Sequence, residues 1–191
     1  GDEWVINGHK WFITNASSAD ITLVFAETNP ENRPHKHASI FVVPAGTPGM
    51  EVVRDVGTMS HPKPEFGRPG GHAEVIFRDC RVPADHLIGN PGDGFVLAQK
   101  RLAGGRIHHA MRWLGQAQRA FDIMCERAVS RESHGKLLGQ HQMIQDYIAL
   151  SHMEIQSARL VTFQTAWKMD KYGASAVRAE LGMVKALVSK T

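Results

Sequence analysis

The sequence predicts an α+β multidomain chain in two parts, an antiparallel β-sandwich or barrel-like domain followed by a helical-bundle domain. Three observations carry that expectation. In the first half, short β-branched and aromatic runs alternate with turn residues at close spacing, and no helical period lies between them. A cluster of Gly89, Pro91, Gly92 and Gly94 then punctuates the chain. Beyond it, apolar residues recur every three to four positions, the period of an amphipathic helix. The boundary is therefore expected near residue 90, with residues 1–90 as the β-domain and 91–191 as the helical domain.

Within the first part, Glu3–Ile6, Asn7-Gly8 and His9–Thr14 read as strand, tight turn and strand, because Asn-Gly supplies the positive φ of a type I′ hairpin. Further strands are expected at Ile21–Glu27, Ala38–Pro44, Glu51–Val56 and Ala73–Phe77. Polar Thr28–His37 and the Gly/Pro-rich stretch His61–Gly71 separate them. In the second part, one helix is expected from Phe95 to Val129 and a second from His141 to Lys168. The second places Ile144, Tyr147, Ile148, Ile155 and Ala158 on one side, and Leu160, Val161 and Phe163 widen its apolar surface enough to suit the interior of a bundle. A third helix starts near Ala174 and is expected to be still running at Thr191. Both ends look cut through an element, so the chain reads as a piece of a longer protein.

Composition narrows the function. The 191 residues carry 22 Lys and Arg against 19 Asp and Glu, a net charge of +3, which is too small and too dispersed for a nucleic-acid surface. No uninterrupted apolar run approaches the ~18 residues of a membrane span. Cys80 and Cys125 share no metal or redox spacing, which favours a reducing compartment.

The chemistry-bearing residues leave several readings open. The 11 histidines are not spaced as a metal site, since His108 and His109 point about 100° apart on a helix. Between His61 and His72, Gly67, Arg68, Gly70 and Gly71 suit either an anion cradle or a plain connection. Gly104-Gly105 inside a helix costs about 1 kcal/mol per glycine relative to alanine. Either close helix packing or a neighbouring pocket would require them, and Arg106 follows with a fixed charge able to hold a carboxylate or carbonyl oxygen. Ser130–Lys136 gathers Arg131, Ser133 and His134 between two helices, either as a phosphate site or as a solvated turn. No arrangement supports a nucleophilic triad.

In order, Gly1-Asp2-Glu3-Trp4-Val5-Ile6-Asn7-Gly8-His9-Lys10 with Trp11-Phe12-Ile13-Thr14-Asn15, then Phe77–Pro83, Leu87-Ile88-Gly89 and Gly92–Phe95, then Leu114–Ala120 and Arg131–Gln142, resemble the segments of the flavin-dependent acyl-CoA dehydrogenases. The run Gly105-Arg106-Ile107-His108-His109 resembles a subgroup whose large members are fused to a phosphotransferase-like domain. The resemblance implies a middle β-domain joined to part of a C-terminal helical domain, with FAD as cofactor and an acyl-CoA thioester as substrate. The implied reaction is α,β-dehydrogenation, with hydride passing to flavin N5 and electrons onward to an electron-transfer flavoprotein.

By the same resemblance, Phe12 takes the place of a tryptophan beside the flavin ring, Ile13 lies next to it, and Thr14 supplies the hydroxyl for N5. Arg131, Ser133 and His134 correspond to positions near the FAD pyrophosphate of a neighbouring subunit, and Leu138 and His141 to positions near its adenosine half, which implies a homodimer or homotetramer. Gly105 and Arg106 fall at the acyl thioester. One branch of the family carries its catalytic glutamate where Gly105 stands here, so the base is expected beyond Thr191, none lies in this chain, and the fragment alone is expected to be inactive. A role in fatty-acid β-oxidation follows, in the cytoplasm of a bacterium or in mitochondria or peroxisomes of a eukaryote. A flavin oxidase or monooxygenase of the same fold, or a non-catalytic assembly module, are the rival readings.

Overall fold

Six strands with alternating burial build the first half: β1 (Glu3–Thr14), β2 (Ile21–Glu27), β3 (Ala38–Pro44), β4 (Met50–Asp55), β5 (His72–Pro83) and β6 (Leu87–Ile88). They form two antiparallel three-stranded sheets, ordered β1-β5-β4 and β2-β3-β6. Because strand side chains point alternately to opposite faces, with the phase of β5 reset by an extra residue at Arg78-Asp79, Ile6 of β1 and Ala73, Val75, Phe77, Cys80 and Val82 of β5 turn inward. They meet Val24, Phe41 and Val43 of the other sheet in one core. Trp4 packs its ring 5.3 Å from that of Phe41. The architecture is an open sandwich, not a closed barrel. The computed structural model describes residues 1–191, and these divide into two compact units, Gly1–Ala98 and Gln99–Thr191.

The hairpin expected at Asn7-Gly8 does not form. Residues Glu3–Thr14 are one continuous strand along β5, and Asn7 faces a two-residue bulge, Arg78-Asp79, on the partner. The positive φ falls on Asp79, at 48°. Asn7 holds it there: its Nδ2 donates to Asp79 Oδ1 at 3.1 Å, and the Asp79 N–H donates back to Asn7 Oδ1 at 2.7 Å. The Asn-Gly pair thus marks a bulge, a use of the same side chain that local sequence does not distinguish from a turn.

At the end of the first unit, Ser39 of β3 is fully buried and its Oγ accepts the Gly92 N–H at 2.9 Å. Gly94 approaches so closely that a Cβ there would lie 2.7 Å from the Ala38 carbonyl oxygen. Lys36 completes the junction, donating to Asp93 at 2.8 Å, and this hydrogen bond holds the Asp93 carboxyl below the usual carboxylate range.

Three helices follow: α1 (Gly94–Ser130), α2 (Gln142–Tyr172) and α3 (Arg178–Val188). A two-stranded ribbon, β7 (Glu132–Ser133) and β8 (Lys136–Leu137), links α1 to α2. Within the second unit, Ala110 and Leu114 of α1, Ala158 of α2, and Val184 and Val188 of α3 share a core. Thr162 and Thr165 are buried on α2 without penalty, because each hydroxyl donates to the carbonyl four residues back, at 2.7 and 2.8 Å. Two expectations change here. The last helix is preceded by a short 3-10 turn, Ala174–Val177, and ends at Val188 instead of continuing to Thr191. On α2, Ile155 and Ala158 are buried as expected, but Tyr147, Leu160 and Phe163 remain exposed. The buried stripe of α2 continues instead through Thr162 and Thr165, whose polarity hid them from a hydrophobic count.

Two substitutions test this packing separately. Leu114→Ala is expected to destabilise the helical unit by about 2–5 kcal/mol, and Gly94→Ala the β-unit by about 1–3 kcal/mol. Urea unfolding resolved by hydrogen exchange measures both.

Candidate functional site

The end of β1 departs from regular pairing. Lys10 pairs with Val75 and Ile13 with Ala73, so Trp11 and Phe12 together face the single residue Glu74. Phe12 takes a left-handed backbone, φ 57°, which a bulky residue rarely adopts without support. The extra residue changes which side chains face outward. Ile13 packs against the core and Thr14, paired with His72, lies on the outer face, where its Oγ1 is 3.1 Å from His72 Nδ1. Phe12, two residues earlier in the strand, is an aromatic side chain 55% exposed.

The segment after β1 is tied to the Gly/Pro-rich connection. Asn15 donates its N–H to the Gly71 carbonyl at 2.9 Å and accepts the Gly70 N–H on Oδ1 at 2.5 Å. Buried Asp55 accepts Ser17 Oγ at 2.8 and 2.9 Å and the Gly67 N–H at 2.9 Å. Of the two readings of this connection, these bonds account for it as an anchored strand link. Its glycine amides at 67 and 70 are already used by protein oxygens.

Glu74 is itself nearly buried, although it points to the outer face. Its Oε1 accepts His9 Nε2 at 2.9 Å, and its Oε2 accepts Arg54 Nε at 2.8 Å. Burial pushes the carboxyl pKa up, but the hydrogen bonds from Arg54 and His9 outweigh it and leave Glu74 below its ordinary value. Cys80 has no such partner, and burial pushes its thiol up, which makes it a core residue and not a nucleophile.

A larger concavity, a cleft of about 760 Å³, lies in the first unit between β1 and β2, with His35 stacked on Phe95 at 4.3 Å along its wall. Lys10 spans from β1 to β2 at this end of the sandwich, donating to the Phe25 carbonyl at 2.8 Å.

In the second unit, the α1–α2 connection is a tight hairpin. His134 (φ 53°) and Gly135 (φ 75°) are its two central residues, the positive φ pair of a type I′ turn. Around it, His141 Nε2 donates to the Ser133 carbonyl at 3.1 Å and the Leu138 N–H donates to the Arg131 carbonyl at 2.8 Å. Arg131, Ser133, His134, Leu138 and His141 are thereby gathered on one ordered ribbon. The guanidinium of Arg131 is exposed and takes no internal partner. Leu138 also lines an apolar groove of about 300 Å³ with Ile123, Ile144 and Tyr147.

Farther up α1, a Cβ built on Gly104 or Gly105 meets no atom within 4 Å, so helix packing inside this chain does not require either glycine. Arg106, half-buried, follows them. Three contributors to these sites escaped sequence reading: Glu74, Arg54 and His72. The signal available was an acidic residue in the alternating run Ala73–Phe77, at a position where its outward direction looked like ordinary solvent exposure.

Because Glu74 titrates below its unfolded value, the stabilisation it gives is complete above pH ~4.3 and is lost as pH falls through the depressed folded value. Glu74→Gln is expected to flatten that acid limb of the stability curve of the β-unit, measured by urea midpoints across the acid range. An unchanged limb would remove Glu74 as its source.

Comparison with known proteins gives the family. The acyl-CoA dehydrogenase middle domain matches residues 1–80, and the C-terminal domain of the same family matches residues 92–191. The "Probable acyl-CoA dehydrogenase FadE2" of Mycobacterium tuberculosis is 39% identical over 100% of this chain and 46% of its own length. An acyl-CoA dehydrogenase from Geobacillus kaustophilus superposes with a TM-score of 0.85 at 27% identity, covering 100% of this chain and 48% of its own. The structure titled "PigA with FAD and proline" superposes with a TM-score of 0.86 at 27% identity, over 97% of this chain and 46% of its own. The chain thus spans less than half the length of these relatives. No helix in it is long and apolar enough to cross a membrane. Both halves of the chain, matched in order by the two domain descriptions, belong to the acyl-CoA dehydrogenase family.

Proposed function

We propose that the full-length protein is an FAD-dependent acyl-CoA dehydrogenase. The observation that carries this is the exposure of both Phe12 and Thr14, an aromatic ring and a hydroxyl two residues apart at the end of β1. A flat heteroaromatic ring with a hydrogen-bond acceptor at its edge fits such a surface, and the unpartnered cation of Arg131 fits a pyrophosphate. The bound flavin would supply a two-electron acceptor for the hydride leaving the acyl β-carbon.

The chain's residues divide the remaining work. Thr14 Oγ1 lies 3.1 Å from His72 Nδ1; in the tautomer with its proton on Nδ1, His72 would donate to Thr14 and leave the hydroxyl proton for flavin N5. Phe12 forms the ring wall, and Ile13 anchors it from the core side. Arg131, Ser133 and His134 hold the pyrophosphate, and Leu138 and His141 bound the adenosine half, of a cofactor shared with a neighbouring subunit in a homodimer or homotetramer. Arg106 offers its cation to the acyl-CoA thioester, while Gly105 leaves space and carries no carboxylate. In this reading the α-proton would go to a carboxylate outside residues 1–191. Electrons pass to an electron-transfer flavoprotein, in fatty-acid β-oxidation, in a bacterial cytoplasm or a eukaryotic mitochondrion or peroxisome.

The test is anaerobic titration of the full-length protein with acyl-CoA thioesters. The expected result is a bound yellow flavin whose visible absorbance bleaches with at least one thioester and recovers with an artificial acceptor. A protein that binds no flavin, or whose flavin is bleached by none, contradicts the reading, and oxygen uptake during turnover identifies an oxidase instead. Arg131→Ala is expected to weaken FAD retention by about 10- to 100-fold, measured by equilibrium dialysis. The 191-residue segment alone is expected to dehydrogenate nothing.

A further inference from the structure

We propose that Glu74, together with Arg54 and His9, is a positioning clamp that fixes the Trp11–Phe12 bulge and so aims the Thr14 hydroxyl out of the sheet. The inference rests on the reading that Thr14 meets a bound flavin, and adds to it the residues that set Thr14's direction.

The argument starts from strand parity. Side chains of β1 alternate faces, and Lys10, opposite Val75, points inward. Uninterrupted alternation would turn Thr14 inward as well and bring Ile13 out. The extra residue at Trp11–Phe12 reverses both, which is the general use of a bulge to redirect a side chain. The reversal depends on holding Phe12 at φ 57°. Something must oppose relaxation to the regular ladder.

The opposition comes from the one residue that faces the bulge. Glu74 sits on the central strand, and both neighbouring strands are irregular at its level: β1 by Trp11–Phe12, β4 by an extra residue between Val52 and Arg54. Its two oxygens bond one side chain from each flanking strand, His9 Nε2 at 2.9 Å and Arg54 Nε at 2.8 Å. Arg54 then lies over Trp11, its Cζ 5.2 Å from the ring centroid, and the His9 ring centroid is 5.5 Å from that of Trp11. The first bulge residue thus contacts both of the groups that the carboxylate fixes. This explains why an outward-pointing glutamate is only 8% exposed: Trp11, Arg54 and His9 cover it. A surface ion pair kept merely for solubility would not span three strands or close over an indole.

The experiment uses the full-length protein with Glu74→Gln, the milder Arg54→Lys, Thr14→Ala, and the Glu74→Gln/Thr14→Ala double variant. Hydrogen exchange is measured first without cofactor. The clamp predicts at least a tenfold rise in exchange for amides of residues 10–14 in Glu74→Gln, a smaller rise in Arg54→Lys, and none in β2 or β3. Visible circular dichroism and reduction potential of the FAD-loaded protein come second. Glu74→Gln should move both toward the Thr14→Ala values, and the double variant should match Thr14→Ala alone, because the clamp acts through that hydroxyl. Unchanged exchange at residues 10–14, a uniform rise across the β-unit, or additive flavin effects would each overturn the proposal. If Glu74→Gln fails to fold, Arg54→Lys carries the same comparisons. A full-length protein that binds no FAD would defeat the functional reading, and the exchange measurement would still decide whether the clamp exists.

Discussion

A strand gives alternate side chains to its two faces, and the site at the end of β1 exists because that rule is broken at Trp11–Phe12. Away from it the inward positions alternate on each side of the Arg78-Asp79 bulge: Val75 and Phe77 before it, Cys80 and Val82 after it, fill the core with Ile6. Everything at the break is polar or aromatic and lies on the outer face. A core of this kind tolerates little slippage, since a one-residue shift would turn Val75 to solvent and Glu74 into the sandwich. The bulge is compatible with that core because the register recovers at Ile13 and Ala73, so the irregularity is confined to the outer surface.

The two units use the same backbone device for different ends. In the first, positive φ values at Phe12 and Asp79 absorb extra residues within long strands without ending them. In the second, consecutive positive φ values at His134 and Gly135 reverse the chain between long helices, which draws Arg131, Ser133 and His141 into one ordered ribbon. Both devices place candidate cofactor contacts on backbone that is hydrogen-bonded on either side, so their side chains are presented by a framework and not by a mobile loop.

Much of this was legible in the residues. Period-two alternation identified β2 and β3 to the residue, and the helical period located α1 and α2 within a few positions, because burial on one face leaves a direct imprint on sequence. Long-range pairing leaves a weaker one. Asn7-Gly8 carries the chemistry of a hairpin, but its partner Asp79 lies 72 residues away, and only the tertiary register decides that the pair faces a bulge. The true type I′ turn, His134-Gly135, lacks the Asn that signals one. Thr162 and Thr165 lie in the buried stripe of α2 because their hydroxyls bond backward along the helix, which an apolar periodicity cannot register. The candidate cofactor residues were identified through family resemblance, whereas Glu74 and Arg54 emerge only from the strand pairing that brings them together.

The central claim is that breaking alternation at residues 11–12 turns Thr14 toward a flavin. A crystal structure of the full-length protein with its cofactor tests this most directly, through the distance from Thr14 Oγ1 to flavin N5. The account predicts a hydrogen bond of about 3 Å, with the Phe12 ring against the isoalloxazine and the bulge intact. A flavin seated elsewhere, or one whose N5 is met by another group while Thr14 points away, would contradict it.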